Sequence, residues 1–280
     1  MFKKVLLCYD FSSPSEELYV FLEELQEFGT EEVILSHVID PGMNTLQAYE
    51  EAEEYFLNRV EDLKEKGFKP QVEIPVGSPA EEVNKVAERE KVSLVLIGSR
   101  GKSKIKEMML GSIAANIIRT SEVPVFIDKY RGQNDDYETM CPEKFCKILY
   151  PTDFSKQSMK VYETIKELIK TKPEKFLEIV LCHVVDKGET QEEVENSKEK
   201  SREELEKLKG ELEALGPKVQ TFTAVGIPSE NINNIAEEEK VTLVMIAARG
   251  AGGFKELFLG STAENVARRS QRPVILFPFR

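Results

Sequence analysis

The stretch "LIGSRGKSKIKEMMLGS", residues 96–112, decides how this chain is read, because it contains Gly-Lys-Ser. A nucleotide-hydrolysing P-loop ends in that triplet, but it also needs a glycine five residues before the Gly-Lys. That place is Leu96, inside an apolar run. The loop therefore cannot wrap a phosphate in the P-loop manner. The second half of the chain shows what matters instead. "MIAARGAGGFKELFLGS", residues 245–261, aligns with the first stretch without a gap, and there Gly-Lys-Ser is replaced by Gly-Ala-Gly. The shared frame is Gly-x2-Gly-x9-Gly-Ser: Gly98, Gly101, Gly111 and Ser112 in one copy, Ala247, Gly250, Gly260 and Ser261 in the other.

The duplication extends outward from this frame. "KKVLLCYDFS" matches "CKILYPTDFS", so Asp10 and Asp153 stand in the same place. "VILSHVID" matches "IVLCHVVD", so the two histidines of the chain, His37 and His183, coincide. "SEVPVFI" matches "SQRPVIL" near the end of each half. The 280 residues divide into domains at 1–129 and 145–280, joined by a polar linker at 130–144.

Each half alternates apolar runs with amphipathic stretches. In the first half the runs fall at 4–9, 33–39, 72–76, 93–98 and 123–127. Between them Tyr49, Ala52, Phe56, Val60 and Leu63 recur at helical spacing, as Leu205, Leu208, Leu212 and Leu215 do in the second half. Gly67 and Gly216 read as helix stops, and Pro79 and Pro228 as first-turn residues. Strands alternating with helices imply βαβ units and parallel sheets. The charge-rich segment 187–213 reads as a solvated helix face.

Composition narrows the function classes. The chain is 41% hydrophobic and 31% charged, with a net charge of −12. That charge repels a phosphate backbone, so nucleic-acid binding is not expected. No apolar run is long enough to span a bilayer, so no membrane role and a cytoplasmic location are expected. Cys8 and Cys182 lie in apolar runs and read as small buried hydrophobes. Cys141 and Cys146 stand in a polar segment, and neither a disulfide nor a metal half-site is the expected reading there. No metal site is expected elsewhere.

In open parallel sheets, ligands bind beyond the carboxyl ends of the strands. The repeated residues cluster there. Glycines let backbone N–H groups approach an oxyanion, and helix starts supply unpaired N–H donors and a positive dipole end. Ser112 and Ser261 add a hydroxyl, and Arg100 and Arg249 a charged fork suited to phosphate. Asp10 and Asp153 can accept hydrogen bonds from a base or ribose, or else cap the next helix. His37 and His183, between apolar neighbours, read as structural histidines. Only one carboxylate repeats at a strand end and no nucleophile–base pair shows, so no dedicated catalysis is expected.

The "YPTDFS" segment of the second half, with its "LCYDFS" counterpart in the first, and the glycine frame that follows each, resemble the universal stress protein family, in its tandem, ATP-binding form. The resemblance implies two Rossmann-like domains, each a five-stranded parallel sheet of order 3-2-1-4-5 flanked by helices. It implies ATP or AMP as ligand, with Mg²⁺ possible beside ATP. The base would lie near Asp10 with Val38, and near Asp153 with Val184. The phosphates would follow Gly98, Gly101, Gly111, Ser112 and Ile113 in one half, and Ala247, Gly250, Gly260, Ser261 and Thr262 in the other. Pro151 and Thr152 fit the family pattern, whereas Tyr9 replaces the Thr and is bulky enough to stack on or crowd a base. Ala247 departs from the first glycine and is tolerable if its backbone is extended. The expected function is a nucleotide-binding stress regulator, with a slow ATPase, an autophosphorylating enzyme or a nucleotide-free scaffold as alternatives. The last strands, at 123–127 and 273–278, are sheet edges that could pair between the halves or between chains, and a homodimer of the tandem chain is expected.

Overall fold

The structure, a computed structural model, describes residues 1–11, 13–42, 44–99, 110–129, 143–186, 190–250 and 259–278. The chain forms two compact units, Met1–Tyr130 and Arg131–Arg280.

The first unit runs β1 Lys4–Cys8, α1 Ser13–Glu27, β2 Glu32–Ser36, α2 Thr45–Glu65, β3 Lys69–Glu73, α3 Pro79–Arg89, β4 Leu94–Gly98, α4 Ser112–Thr120 and β5 Val125–Asp128. Its strands are parallel, in the order β3-β2-β1-β4-β5. The second unit repeats this plan: β6 Lys147–Pro151, α5 Lys156–Thr171, β7 Glu178–Val185, α6 Gln191–Glu213, β8 Lys218–Val225, α7 Pro228–Glu238, β9 Leu243–Ala247, α8 Ser261–Arg269 and β10 Val274–Phe277. Its order is β8-β7-β6-β9-β10, again parallel. Both sheets are thus the expected 3-2-1-4-5. In each, strand order reverses beside the first strand, which opens a crevice at its carboxyl end.

The central strands are apolar beyond the lysines that open β1 and β6, because helices cover both faces. Val5, Leu6 and Leu7 in β1 are fully buried, as are Ile148, Leu149 and Tyr150 in β6. Ala52, Phe56 and Leu63 carry the buried face of α2, and Leu205, Leu208 and Leu212 that of α6. Tyr49, grouped with them by spacing, is 43% exposed in the first turns of α2. Gly67 and Gly216 end these helices with φ of 87° and 123°, a backbone only glycine adopts freely. The third strand lies three residues earlier than the apolar run at 72–76 suggests. Hydrogen bonding to β2 sets its place, and the run's end survives only as a bridge between Ile39 and Val76.

At the amino ends of the strands each unit carries a matched ion cluster. Lys4 lies 2.9 Å from Glu90 and 3.5 Å from Glu32. Lys147 lies 2.8 Å from Glu178 and 3.1 Å from Glu239, and Lys218 lies 2.8 Å from Glu178. Burial pushes the Glu178 carboxyl up, but hydrogen bonds from Lys147, Lys218 and Gln220 outweigh it and bring the pKa down to about 2.

Cys8 and Cys182 are free thiols, and burial raises Cys182 to about 12. Cys146 is disulfide-bonded, which corrects the reading of the 141–146 segment. Residues 130–142 of the linker lie outside the described residues. Among the described residues no helix is long and apolar enough to cross a membrane.

Candidate functional site

The site starts where the first strand of each unit ends. Phe11 and Phe154, directly after the repeated Asp, have φ of 58° and 59°. A left-handed backbone costs a bulky residue on the order of 1–2 kcal/mol, so the turn must be held by other contacts. In the second unit these contacts are explicit. The Phe154 N–H donates to Thr152 Oγ1 at 3.0 Å, and the Ser155 N–H donates to Asp153 Oδ1 at 3.1 Å. Ser155 Oγ accepts the Ser158 N–H at 3.2 Å and so caps α5. The cap is therefore Ser155, and the Asp153 carboxylate instead closes a turn on the strand end.

The second strand reaches the same place. His37 Nδ1 donates to the Tyr9 carbonyl at 2.8 Å, and His183 Nδ1 donates to the Thr152 carbonyl at 2.8 Å. Each imidazole also lies against the left-handed phenylalanine, with ring centroids 4.3 Å apart for Phe11–His37 and 4.9 Å for Phe154–His183. Val38 and Val184 follow the histidines and are half-buried.

The glycine frame forms the opposite wall. Gly98 pairs with Asp128, and Ala247 with Phe277, as the last residues of β4 and β9. Ala247 is therefore extended and its methyl is accommodated. Beyond the strand, the Gly111 N–H donates to the Ser99 carbonyl at 2.8 Å, and the Gly260 N–H donates to the Ala248 carbonyl at 2.8 Å. These bonds close the loop onto the helix start. A Cβ on Gly260 would stand 3.1 Å from the Ala248 carbonyl oxygen, against 3.5 Å for Gly111 and Ser99. At Gly250 a Cβ would overlap Asp153 Oδ2. Gly250 and Gly260 are thus closely approached, the first by a carboxylate and the second by a backbone carbonyl, without a left-handed backbone, whereas a Cβ at Gly111 would meet only ordinary contact. Arg100, Gly101 and the Lys102-Ser103 pair lie outside the described residues; Arg249 is half-buried beside the frame.

Gly111 and Gly260 are the N-caps of α4 and α8, without side-chain caps. Ser112 and Ser261 are the first helical residues, with exposed side chains. The first helical N–H groups bonded to the caps are those of Ala115 and Glu264. The N–H groups of Ser112, Ile113 and Ala114, and of Ser261, Thr262 and Ala263, therefore remain as the donors of each helix start. Ile113 is 50% exposed beside them.

The two units differ behind the strand-1 turn. Tyr9 is buried, with its ring edge-on to Tyr55 and Phe56 of α2 at 5.8 and 5.5 Å. Thr152, its counterpart, joins a polar relay. Ser158 Oγ donates to Thr152 Oγ1 at 2.9 Å, and the Tyr150 hydroxyl donates to the Ser158 carbonyl at 2.8 Å. Burial pushes the Tyr150 phenol up to about 12. Pro151 pairs with Cys182 at the end of β6. Among the described residues no three metal-ligating side chains gather in one place. Sequence reasoning missed the two phenylalanines and gave the histidines no part in the site. The repeated Asp-Phe-Ser was the available signal.

Each unit is therefore an open, doubly wound α/β domain, and in the second the Asp153 carboxylate reaches Gly250 of the glycine frame at the strand ends. The sequence profile of the universal stress protein family matches residues 1–129 and 144–278, and the chain belongs to that family. It is accordingly a stress-response protein with two family domains in tandem. A universal stress protein of Methanocaldococcus jannaschii is 35% identical over 153 residues, covering 46% of this chain and 93% of the relative. The Bacillus subtilis universal stress protein YxiE is 34% identical over 104 residues, covering 37% of this chain and 62% of its own length. The crystal structure of a universal stress protein from Archaeoglobus fulgidus superposes with a TM-score of 0.77 at 28% identity, covering 99% of this chain and 98% of that one.

Proposed function

We propose that each unit binds an adenine nucleotide, ATP or AMP, and that the chain is a nucleotide-responsive regulator. The observation that carries this reading is the placement of the Asp153 carboxylate against Gly250 at the mouth of the crevice. Carboxylates at such switch points accept hydrogen bonds from ribose hydroxyls, and helix starts bind phosphate. In this reading Asp10 and Asp153 receive the base or ribose, with Val38 and Val184 against the base. The phosphates take the N–H groups of Ser112 and Ile113, or Ser261 and Thr262, with Arg100 and Arg249 as fork donors. The Gly111 and Gly260 N–H groups are used within the loop and act by shape. Mg²⁺ would accompany ATP on its phosphate oxygens. The different settings of Tyr9 and Thr152 support unequal affinities in the two units.

Isothermal calorimetry with ATP and with AMP tests this. Saturable heat for either nucleotide is the expected outcome, and no heat at millimolar concentrations overturns it. Sustained phosphate release abolished by Asp153→Ala would favour the ATPase alternative.

A further inference from the structure

Each unit repeats one device that makes no contact with the ligand in the nucleotide reading. It consists of the histidine, the left-handed phenylalanine and the carbonyl between them. His183 donates to the carbonyl of Thr152, the residue before Asp153, and its ring lies on Phe154, the residue after it. His37 does the same around Asp10, through Tyr9 and Phe11. We propose that His37 and His183 are positioning residues, each holding the strand-1 aspartate from both sides and so setting where its carboxylate meets the ligand. This rests on the nucleotide reading for its function but not for its structure.

Three observations support it. First, a carbonyl oxygen can only accept, so Nδ1 carries the proton in both rings and the tautomer is set by the site. Second, Phe11 and Phe154 keep a backbone that glycine would adopt without cost, and the Phe side chain is what lies against the histidine. Third, the background of the two turns differs: Tyr9 packs on aromatic residues of α2, while Thr152 belongs to a hydroxyl relay. The same hydrogen bond and ring contact recur in both settings, with Phe11 in addition lying 4.6 Å from the Tyr55 ring of α2. The end of the second strand thus reports on the end of the first, through one imidazole.

The chain has two histidines, so a long-range proton–nitrogen NMR spectrum of the full protein resolves both rings. Both rings protonated at Nδ1, before any nucleotide is added, are expected; a ring protonated at Nε2 alone overturns the proposal. The second measurement compares His183→Asn with His183→Gln. The Asn amide nitrogen falls near the place of Nδ1, whereas Gln places its amide near Nε2. Both lose the ring stack, so their difference reads the hydrogen bond. His183→Asn is expected to bind ATP about fivefold more tightly than His183→Gln, the worth of one hydrogen bond. Equal affinities overturn the proposal. Hydrogen exchange at the Ser155 amide, which donates to Asp153, serves even if the wild-type chain binds no nucleotide. Faster exchange in His183→Gln than in His183→Asn is expected, and identical exchange overturns the clamp independently of the ligand. Far-ultraviolet circular dichroism and the unfolding midpoint establish that each variant is folded.

Discussion

Asp153 and Gly250 exclude any side chain between them: a Cβ on Gly250 would occupy the space of Asp153 Oδ2. The carboxylate is held there by the Ser155 N–H on its other oxygen. The strand-1 aspartate and the glycine frame are thus a single steric unit, although they are far apart in the chain.

Gly250→Ala is expected to weaken nucleotide binding about tenfold, because the methyl must displace the carboxylate by overpacking worth about 1–2 kcal/mol. Gly250 is exposed, so the unfolding midpoint should move little. The check is a double-mutant cycle by calorimetry. Adding Gly250→Ala to Asp153→Ala should cost nothing further; additive losses would show that the glycine serves the ligand and not the aspartate.

The two N-cap glycines should respond unequally to a methyl. Gly260→Ala is expected to destabilise its unit by about 1 kcal/mol, since a 3.1 Å approach to the Ala248 carbonyl forces a shift. Gly111→Ala has ordinary contact at 3.5 Å and should cost less than about half of that. Urea unfolding midpoints of the two variants decide it.

Lys91 has φ of 53° just past the end of α3, where helices favour glycine. Lys91→Gly removes a left-handed penalty of about 1 kcal/mol and adds unfolded-chain entropy of somewhat less. A net gain of about 0.5 kcal/mol, or about 2 °C in Tm, is expected by calorimetric melting. A fall in Tm would show that the side chain is held by contacts.

Acid should weaken the second unit through Glu178. Its folded pKa of about 2 lies below the ordinary value of 4.5. A carboxyl depressed on folding contributes stability that is fully present above the unfolded value and is lost as pH falls from there toward the folded one. Wild type should therefore lose urea resistance between the two values. Glu178→Gln, which leaves Lys147 with Glu239 as its remaining carboxylate, should be less stable near neutrality by about 2 kcal/mol. The difference between variant and wild type should narrow at the acid end of that window; a constant gap would mean that the cluster does not titrate with folding.

The duplicated plan is legible because it rests on period and punctuation. Val5, Leu6 and Leu7 read as a buried strand, Gly67 and Gly216 as stops, Pro79 and Pro228 as starts, and all are so placed. The third strand is the exception, displaced by three residues from its apolar run. A solvated edge strand carries a weak apolar signal, and pairing with β2 settles its register.

The amino-acid sequence by itself determined that the chain is two copies of one α/β unit and which residues are copied between them. Repetition, helical and strand period, and the missing first P-loop glycine require no third dimension. Only the tertiary structure decided why those residues are what they are. A methyl on Gly250 would have to displace the Asp153 carboxylate, Ala247 is permitted because its strand is extended, and His37 and His183 hold the turn around the aspartate. Those reasons are distances between separate strand ends, and a linear pattern does not encode distance.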